Sequence, residues 1–354
     1  MFSRILVTGG SGFIGSNFVR HVLAARPQTH ITNLDALTYS GNAENLRDLE
    51  GNPRYSFVHA DICDTETIRP FVAKADAIVH FAAESHVDRS ILDTRPFIRT
   101  NVLGTQTLLD AAVAGKVTRF VHVSTDEVYG SLPLDRRELR FTEESAIKPN
   151  SPYSASKAAS DMLVRAAHHT FGLDTCITRC SNNFGPYQFP EKVIPLFVTN
   201  LLEDKKVPLY GDGLNVRDWI HVEDHCEAVL AVLERGKPGE VYNIGADNEQ
   251  SNLDLTRSLL HILGKGDEFI RHVEDRLGHD RRYAIDSSKI QSELGWNATR
   301  SQWPDALIKT VDWYVKNPGW WQRIKSGAYR EFHETLYANR GPAAPLASPA
   351  SASA

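Results

Sequence analysis

Short apolar runs recur along the first half of the chain. Between them, apolar residues return at every third or fourth position. RILVT (4–8), HITNLD (30–35), YSFVHAD (55–61), ADAIVHFAA (75–83) and RFVHVSTDEVYG (119–130) read as strands. SNFVRHVLAAR (16–26) and TNVLGTQTLLDAAVAG (100–115) read as helices, the second stopping on Gly115. Strands separated by helices are joined by crossovers, which makes their sheet parallel. Such strands are covered on both faces and read as near-continuous apolar runs, as these do. The pattern predicts an α/β fold with a doubly wound parallel sheet.

A long helix over 151–172 and a sixth strand over 174–182 follow. Pro and Gly then thicken in FGPYQFPEKVIP and VPLYGDG, marking a change of organisation near residue 181. VEDHCEAVLAVLERG and EVYNIG form one more helix–strand pair, so the chain is expected to return to the sheet at about 222–247. The expected division is a first domain over 1–180 with that return, and a smaller mixed α/β domain from 181–221 and 248–333. The Pro/Ala/Ser-rich tail over 334–354 is expected to be disordered.

With 354 residues, 42% hydrophobic and 23% charged, the chain can bury a full core, and a two-domain prior follows. A net charge of −5 gives no global attraction to DNA, RNA or anionic lipid. No apolar run reaches the roughly 20 residues of a membrane helix. The N-terminal apolar run is too short for a signal peptide, so the expected compartment is the cytoplasm. Cys63, Cys176, Cys180 and Cys226 lack zinc-type spacing and read as reduced thiols; no metal is expected.

The first strand runs into Gly9-Gly10-Ser11-Gly12-Phe13-Ile14-Gly15 and then a helix. Gly10, Gly12 and Gly15 satisfy G-x-G-x-x-G, and Gly9, Gly12 and Gly15 satisfy G-x-x-G-x-x-G. Such glycines permit a tight turn and close approach of backbone to a pyrophosphate, which meets the helix N-terminus. Asp35 ends the second strand, where a carboxylate accepts from a ribose 2′-OH and repels a 2′-phosphate; NAD is therefore favoured over NADP. The strand–glycine turn–helix order points to a Rossmann-type dinucleotide site. Asp61-Ile62 follows the third strand, where it either meets adenine or is simply a loop.

Tyr153 and Lys157 share a helix face, four residues apart. An ammonium beside a phenol favours the phenolate, so the Tyr153 pKa is expected to fall from ~10 toward neutrality and make it a general base. Thr125-Asp126-Glu127 lies at the carboxyl end of the fifth strand, where open α/β sheets bind ligands. Two adjacent carboxylates there supply an acid and a base that a plain alcohol oxidation does not need. A helix-capping acidic turn is the bland alternative.

VTGGSGFIG, FAAESHVDRS, VSTDEVYG, NSPYSASKAASD, TRCSNNFGPYQFPEKVIPLF, YGDGLNVRDWIHVEDHC and GHDRRYAID together resemble the extended short-chain dehydrogenase/reductases, and within them the NAD-dependent nucleotide-sugar dehydratases. The resemblance covers residues 3–325. It implies a Rossmann-type sheet, tightly bound NAD, dTDP-glucose as substrate, and water loss across C5–C6 between an oxidation at C4 and a reduction at C6. By motif, Tyr153 and Lys157 serve C4, Glu127 is the C5 base, Asp126 the acid for the 6-OH, and Thr125 holds the 4-OH. Gly9, Gly12, Phe13, Ile14, Gly15, Asp35, Ala36, Leu37, Thr38, Asp61, Ile62, Ala82, Ala83, Ser85, Thr100 and Asn183 would surround NAD, with Tyr153 and Lys157. Ser85 and Asn182 would touch the sugar. Lys192, Pro208, Tyr210, Arg217, Asn252, Arg276 and His279 would form the nucleotide end, Arg217 and Arg276 facing the diphosphate.

The resemblance also implies a homodimer through helices near 104–115 and 153–170. Three departures are visible: Leu277 where the family usually has Pro, Ser11 where Ala is common, and the C-terminal Ala/Ser/Pro tail, which is not a family feature. The rival readings are a 4-epimerase or dehydratase acting on a UDP-sugar, and a non-catalytic NAD-binding regulator. An epimerase has no use for the Asp126–Glu127 pair.

Overall fold

A computed structural model describes residues 2–326. The tail over 334–354 lies outside the described residues. Seven strands make one sheet in the order β10-β6-β5-β4-β1-β2-β3, each pair parallel. They are β1 (Arg4–Thr8), β2 (His30–Asp35), β3 (Tyr55–His59), β4 (Ala77–His80), β5 (Arg119–Thr125), β6 (Thr175–Cys180) and β10 (Val241–Ile244). The sheet is a Rossmann-type doubly wound one.

Strand residues alternate between faces, and this sets the two cores. On β1, Ile5 and Val7 join Phe18, Val19 and Val22 of α1 (Phe13–Ala25) and Val229 and Val232 of α8 (Val222–Arg235). Leu6 faces the other way, with Ile68 and Val72 of α2 (Thr65–Val72), Leu108 and Ala112 of α5 (Thr105–Ala114) and Val164 of α6 (Pro152–Phe171). Between β4 and α5 run α3 (Val87–Leu92), the short α4 (Arg95–Phe97) and a π-helical stretch over Ile98–Gly104. Ser151 and Ser154 close a capping box at the start of α6, and Gly172 ends it at φ 68°.

The run expected to be strand through residue 130 is strand only to Thr125. Asp126–Tyr129 forms a 3₁₀ turn, which Gly130 ends at φ 89°. A Cβ at Gly130 would stand 2.4 Å from the Lys148 carbonyl oxygen, so the turn is tight against the following loop.

The remainder builds two small sheets. One contains β7 (Asn182–Phe184), β9 (Val216–His221) and β11 (Glu249–Ser251); the other pairs β8 (Val207–Tyr210) with β12 (Ile270–Val273). They pack a third core with α7 (Val193–Leu202), α9 (Asn252–Ile262), α11 (Asp305–Lys316) and α12 (Pro318–Lys325). The division is not clean. Ile290 and Leu294 of α10 (Ser288–Leu294), with Trp296, join the core of the large sheet. Among the described residues no helix is long and apolar enough to cross a membrane.

Candidate functional site

A cavity of about 300 Å³ opens at the carboxyl ends of the large sheet. Its floor is the glycine turn, whose glycines divide into two kinds. A Cβ at Gly9 would meet the Ala82 backbone at 2.6 Å, one at Gly10 would meet Asn33 Oδ1 at 2.3 Å, and one at Gly15 would meet the Gly9 oxygen at 2.2 Å. Those three are required by the chain's own packing. A Cβ at Gly12 would touch only the Gly9 oxygen, at 3.3 Å, although Gly12 lines the cavity. Gly12 is also the N-cap of α1, where no side chain caps the helix. Free N–H groups and open space at a helix N-terminus fit a pyrophosphate.

Asp35 stands beside the turn and is buried, accepting from Ser11 N at 2.9 Å and from Leu37 N at 2.8 Å. Burial raises its pKa, and the two backbone donors oppose this. Ala36 and Thr38 line the cavity with Asp35, whereas Leu37 does not. Leu37 takes φ 48° and contributes its N–H to Asp35.

Asp61 and Ile62 line the far end, where Asp61 pairs with Arg99 at 2.6 Å. Phe13, Ile14, Ala82, Ala83, Ser85 and Thr100 line the walls. Asn183 lines it too, with its Oδ1 2.8 Å from His225 Nδ1.

Thr125, Asp126, Glu127, Tyr153 and Lys157 lie together at the inner end. Asp126 and Glu127 are neighbours in different surroundings. Burial pushes Asp126 well above the usual carboxylate range, and the charges of Glu127 and Asp218 add to the push. Burial also raises Glu127, but Arg276, Arg217 and Lys192 pull it back. Both carboxyls are thus shifted upward, Asp126 further than Glu127, and this difference sets them apart as acid and base.

The pKa expectation for Tyr153 is corrected. Burial, then Glu127, Cys180 and Asp126, push its phenol well above 10, and a hydrogen bond with Thr125 opposes them. Lys157 donates to the Val123 carbonyl at 2.9 Å, and burial lowers its pKa to about 8. Helix spacing placed the pair on one face; the anionic neighbours were not visible in it.

A second cavity, of about 170 Å³, shares Glu127, Asn182, Glu191 and Lys192 with the first. Pro208, Tyr210, Arg217, Asn252, Arg276 and His279 line it. Arg217 lies 4.2 Å over the Tyr283 ring and donates to the Asp280 carbonyl at 2.9 Å. Arg276 approaches Asp88 at 4.0 Å. His279 bonds Asp275 at 2.6 Å, and its pKa falls to about 4, chiefly through burial. Asn182 Oδ1 is buried and has no hydrogen-bond partner among the described residues. Leu277 is exposed, so its replacement of Pro leaves the cavity wall intact.

Sequence reasoning missed Arg99, Glu84, Gln188, Phe189 and Glu191 in the first cavity, and His86, Asp88, Trp219 and Tyr283 in the second. For Trp219 a signal existed: it shares strand parity with Arg217. The others stand on loops or helices whose direction spacing does not encode. The described residues contain no metal-ligating cluster of His, Cys, Asp or Glu.

A doubly wound sheet with this turn and cleft defines the extended short-chain dehydrogenase/reductase class. A family model described as GDP-mannose 4,6 dehydratase matches residues 6–303. A dTDP-glucose 4,6-dehydratase from Streptomyces niveus is 53% identical over 327 residues, covering 91% of this chain and 96% of its own. A dTDP-glucose 4,6-dehydratase from Streptomyces venezuelae, solved with NAD and dTDP bound, superposes with TM-score 0.88 at 54% identity, covering 91% of this chain and all of the other. A UDP-glucose 4-epimerase from Thermotoga maritima reaches TM-score 0.82 at 29% identity, covering 89% and 99%. The chain belongs to the family of nucleotide-sugar 4,6-dehydratases, in its dTDP-glucose branch.

Proposed function

We propose that this protein converts dTDP-glucose to dTDP-4-keto-6-deoxyglucose, with NAD held in the first cavity and the nucleotide sugar reaching in from the second. Bound NAD supplies a reversible two-electron store, filled at C4 and returned at C6. Tyr153 receives the proton of the 4-OH; the Thr125 hydrogen bond favours its ionised form against burial and the charges of Glu127 and Asp126. The C4 ketone acidifies the C5 proton, which Glu127 removes. Asp126 gives its proton to the leaving 6-OH, and one water departs across C5–C6. A proton then returns to C5. Arg217, Arg276 and Lys192 offset the diphosphate charge.

The carrying observation is the separation of Asp126 from Glu127 at the junction of the two cavities. The 53% and 54% relatives are dehydratases and the 29% one an epimerase, which supports the same choice. In this reading residues 1–180 with 222–247 carry the cofactor, and 181–221 with 248–333 the nucleotide sugar. A homodimer forms through the helices near 104–115 and 153–170, where Leu103 and Met162 are exposed. Four unpaired cysteines fit a cytoplasmic enzyme.

The test is product NMR after incubation with dTDP-glucose in D₂O. The expected product is a 4-keto-6-deoxy sugar deuterated at C5, with no net NAD consumed. A 4-epimer would overturn the reading, and faster turnover of UDP- or GDP-glucose would overturn the nucleotide assignment.

A further inference from the structure

We propose that Tyr39, Arg89 and Glu191 form a clasp that keeps the dinucleotide in place from one turnover to the next. The proposal rests on the reading that the first cavity holds NAD. The three residues come from separate parts of the chain. Tyr39 lies on the loop after β2, Arg89 on α3 after β4, and Glu191 on the segment leading into α7. Strands β2 and β4 lie on either side of β1, so their loops flank the glycine turn.

Arg89 joins the three. Its guanidinium stacks 3.8 Å over the Tyr39 ring, and its Nε donates to Glu191 Oε2 at 3.2 Å. The Phe189 ring meets the Tyr39 ring edge-on at 5.9 Å. Phe189 and Glu191 line the first cavity, whereas Tyr39 and Arg89 line neither cavity and stand behind its wall. One residue beyond, Lys192 Nζ donates to the Ser85 carbonyl at 2.7 Å and repeats the crossing. The base of the same segment is fixed to α1: Asn17 donates to the Pro186 carbonyl at 3.0 Å, and Arg20 lies 4.4 Å over the Tyr187 ring.

Opening the cavity on this side separates a largely buried ion pair; the Glu191 side chain is only 3% exposed. Removing one partner of such a pair strands the other without compensation. A cofactor exchanged at every turnover would be poorly served by that arrangement. A cofactor whose electrons return within one catalytic cycle has no need to leave, and loops tied together above it slow its escape.

The experiment measures dinucleotide exchange from purified holoenzyme, gel-filtered without NAD and chased with labelled NAD. Wild type is expected to retain its dinucleotide. Arg89→Met and Tyr39→Leu are expected to exchange it at least about tenfold faster, with turnover at saturating NAD unchanged. Arg89→Lys keeps the charge without the planar stack and should fall between them. Exchange as slow as wild type in folded Arg89→Met, or in Arg89→Lys where the first variant does not fold, overturns the clasp. A wild-type protein that binds no NAD overturns the reading of the cavity itself.

Discussion

The two cavities meet at four residues yet are built in different ways. The first takes most of its residues from the carboxyl ends of adjacent parallel strands, so its parts arrive in short runs: Gly9 and 12–15 after β1, 34–36 with Thr38 at the end of β2, 81–85 after β4 and 123–127 at β5. The second draws runs and single residues from segments far apart in the chain: 86–88, 191–193 and 208–210, with Arg217, Asn252, Arg276 and Tyr283 among the rest. A strand end in a packed sheet has one orientation, and a loop residue has many. The chemistry therefore sits where the scaffold is stiffest, and substrate recognition sits where sequence change costs least.

The sharpest way to break this comparison is Glu127→Gln. It removes the C5 base and leaves the dinucleotide floor intact. Turnover should fall about a thousandfold while reduced nicotinamide accumulates on the protein, read by its absorbance after mixing with substrate. Turnover near wild type would remove Glu127 from the mechanism. Arg217→Met tests the second cavity. The KM for the nucleotide sugar should rise about thirtyfold or more while kcat changes less. Because Arg217 also draws the pKa values of Asp126 and Glu127 down, the variant's pH–rate profile should move to higher pH. An unchanged KM would place the diphosphate elsewhere.

The glycine turn offers a smaller, cleaner contrast. Gly15→Ala forces a Cβ onto the Gly9 carbonyl and should cost about 1–3 kcal/mol of stability, measured by urea unfolding. Gly12→Ala meets no such clash, so it should keep its stability and lose dinucleotide affinity. Equal destabilisation by the two would mean that Gly12 serves packing and not a ligand.

The same contrast governs how much could be read in the sequence. The sheet was legible because both-face burial writes apolar runs such as AIVH and RFVHV, and the glycine turn because steric demand admits one residue type. Tyr153 and Lys157 were legible by helix spacing. Their charge states were not, since these depend on burial, with Glu127 and Asp126 meeting Tyr153 across the fold and Asp161 facing Lys157. Arg99 and Glu191 escaped notice because their orientation follows from a π-helical stretch and an irregular segment, neither of which has a periodic signature.

Two histidines carry the comparison into stability. His225 is buried under Asn183 at the first cavity, and burial alone lowers its pKa to about 3. His279 lines the second cavity, and burial lowers it to about 4 against the opposing pull of Asp275. The unfolded chain titrates each near 6.5. As pH falls below that value, the unfolded state gains a proton that the folded state refuses, so stability declines with falling pH. Each histidine contributes a slope of about 1.4 kcal/mol per pH unit until its folded pKa is reached. His225→Asn should flatten the stability profile down to about pH 3, whereas the effect of His279→Asn should fade about one unit higher, near pH 4. Urea unfolding at stepped pH measures both. Identical slopes in the two variants and the wild type would mean that neither imidazole is held neutral by burial.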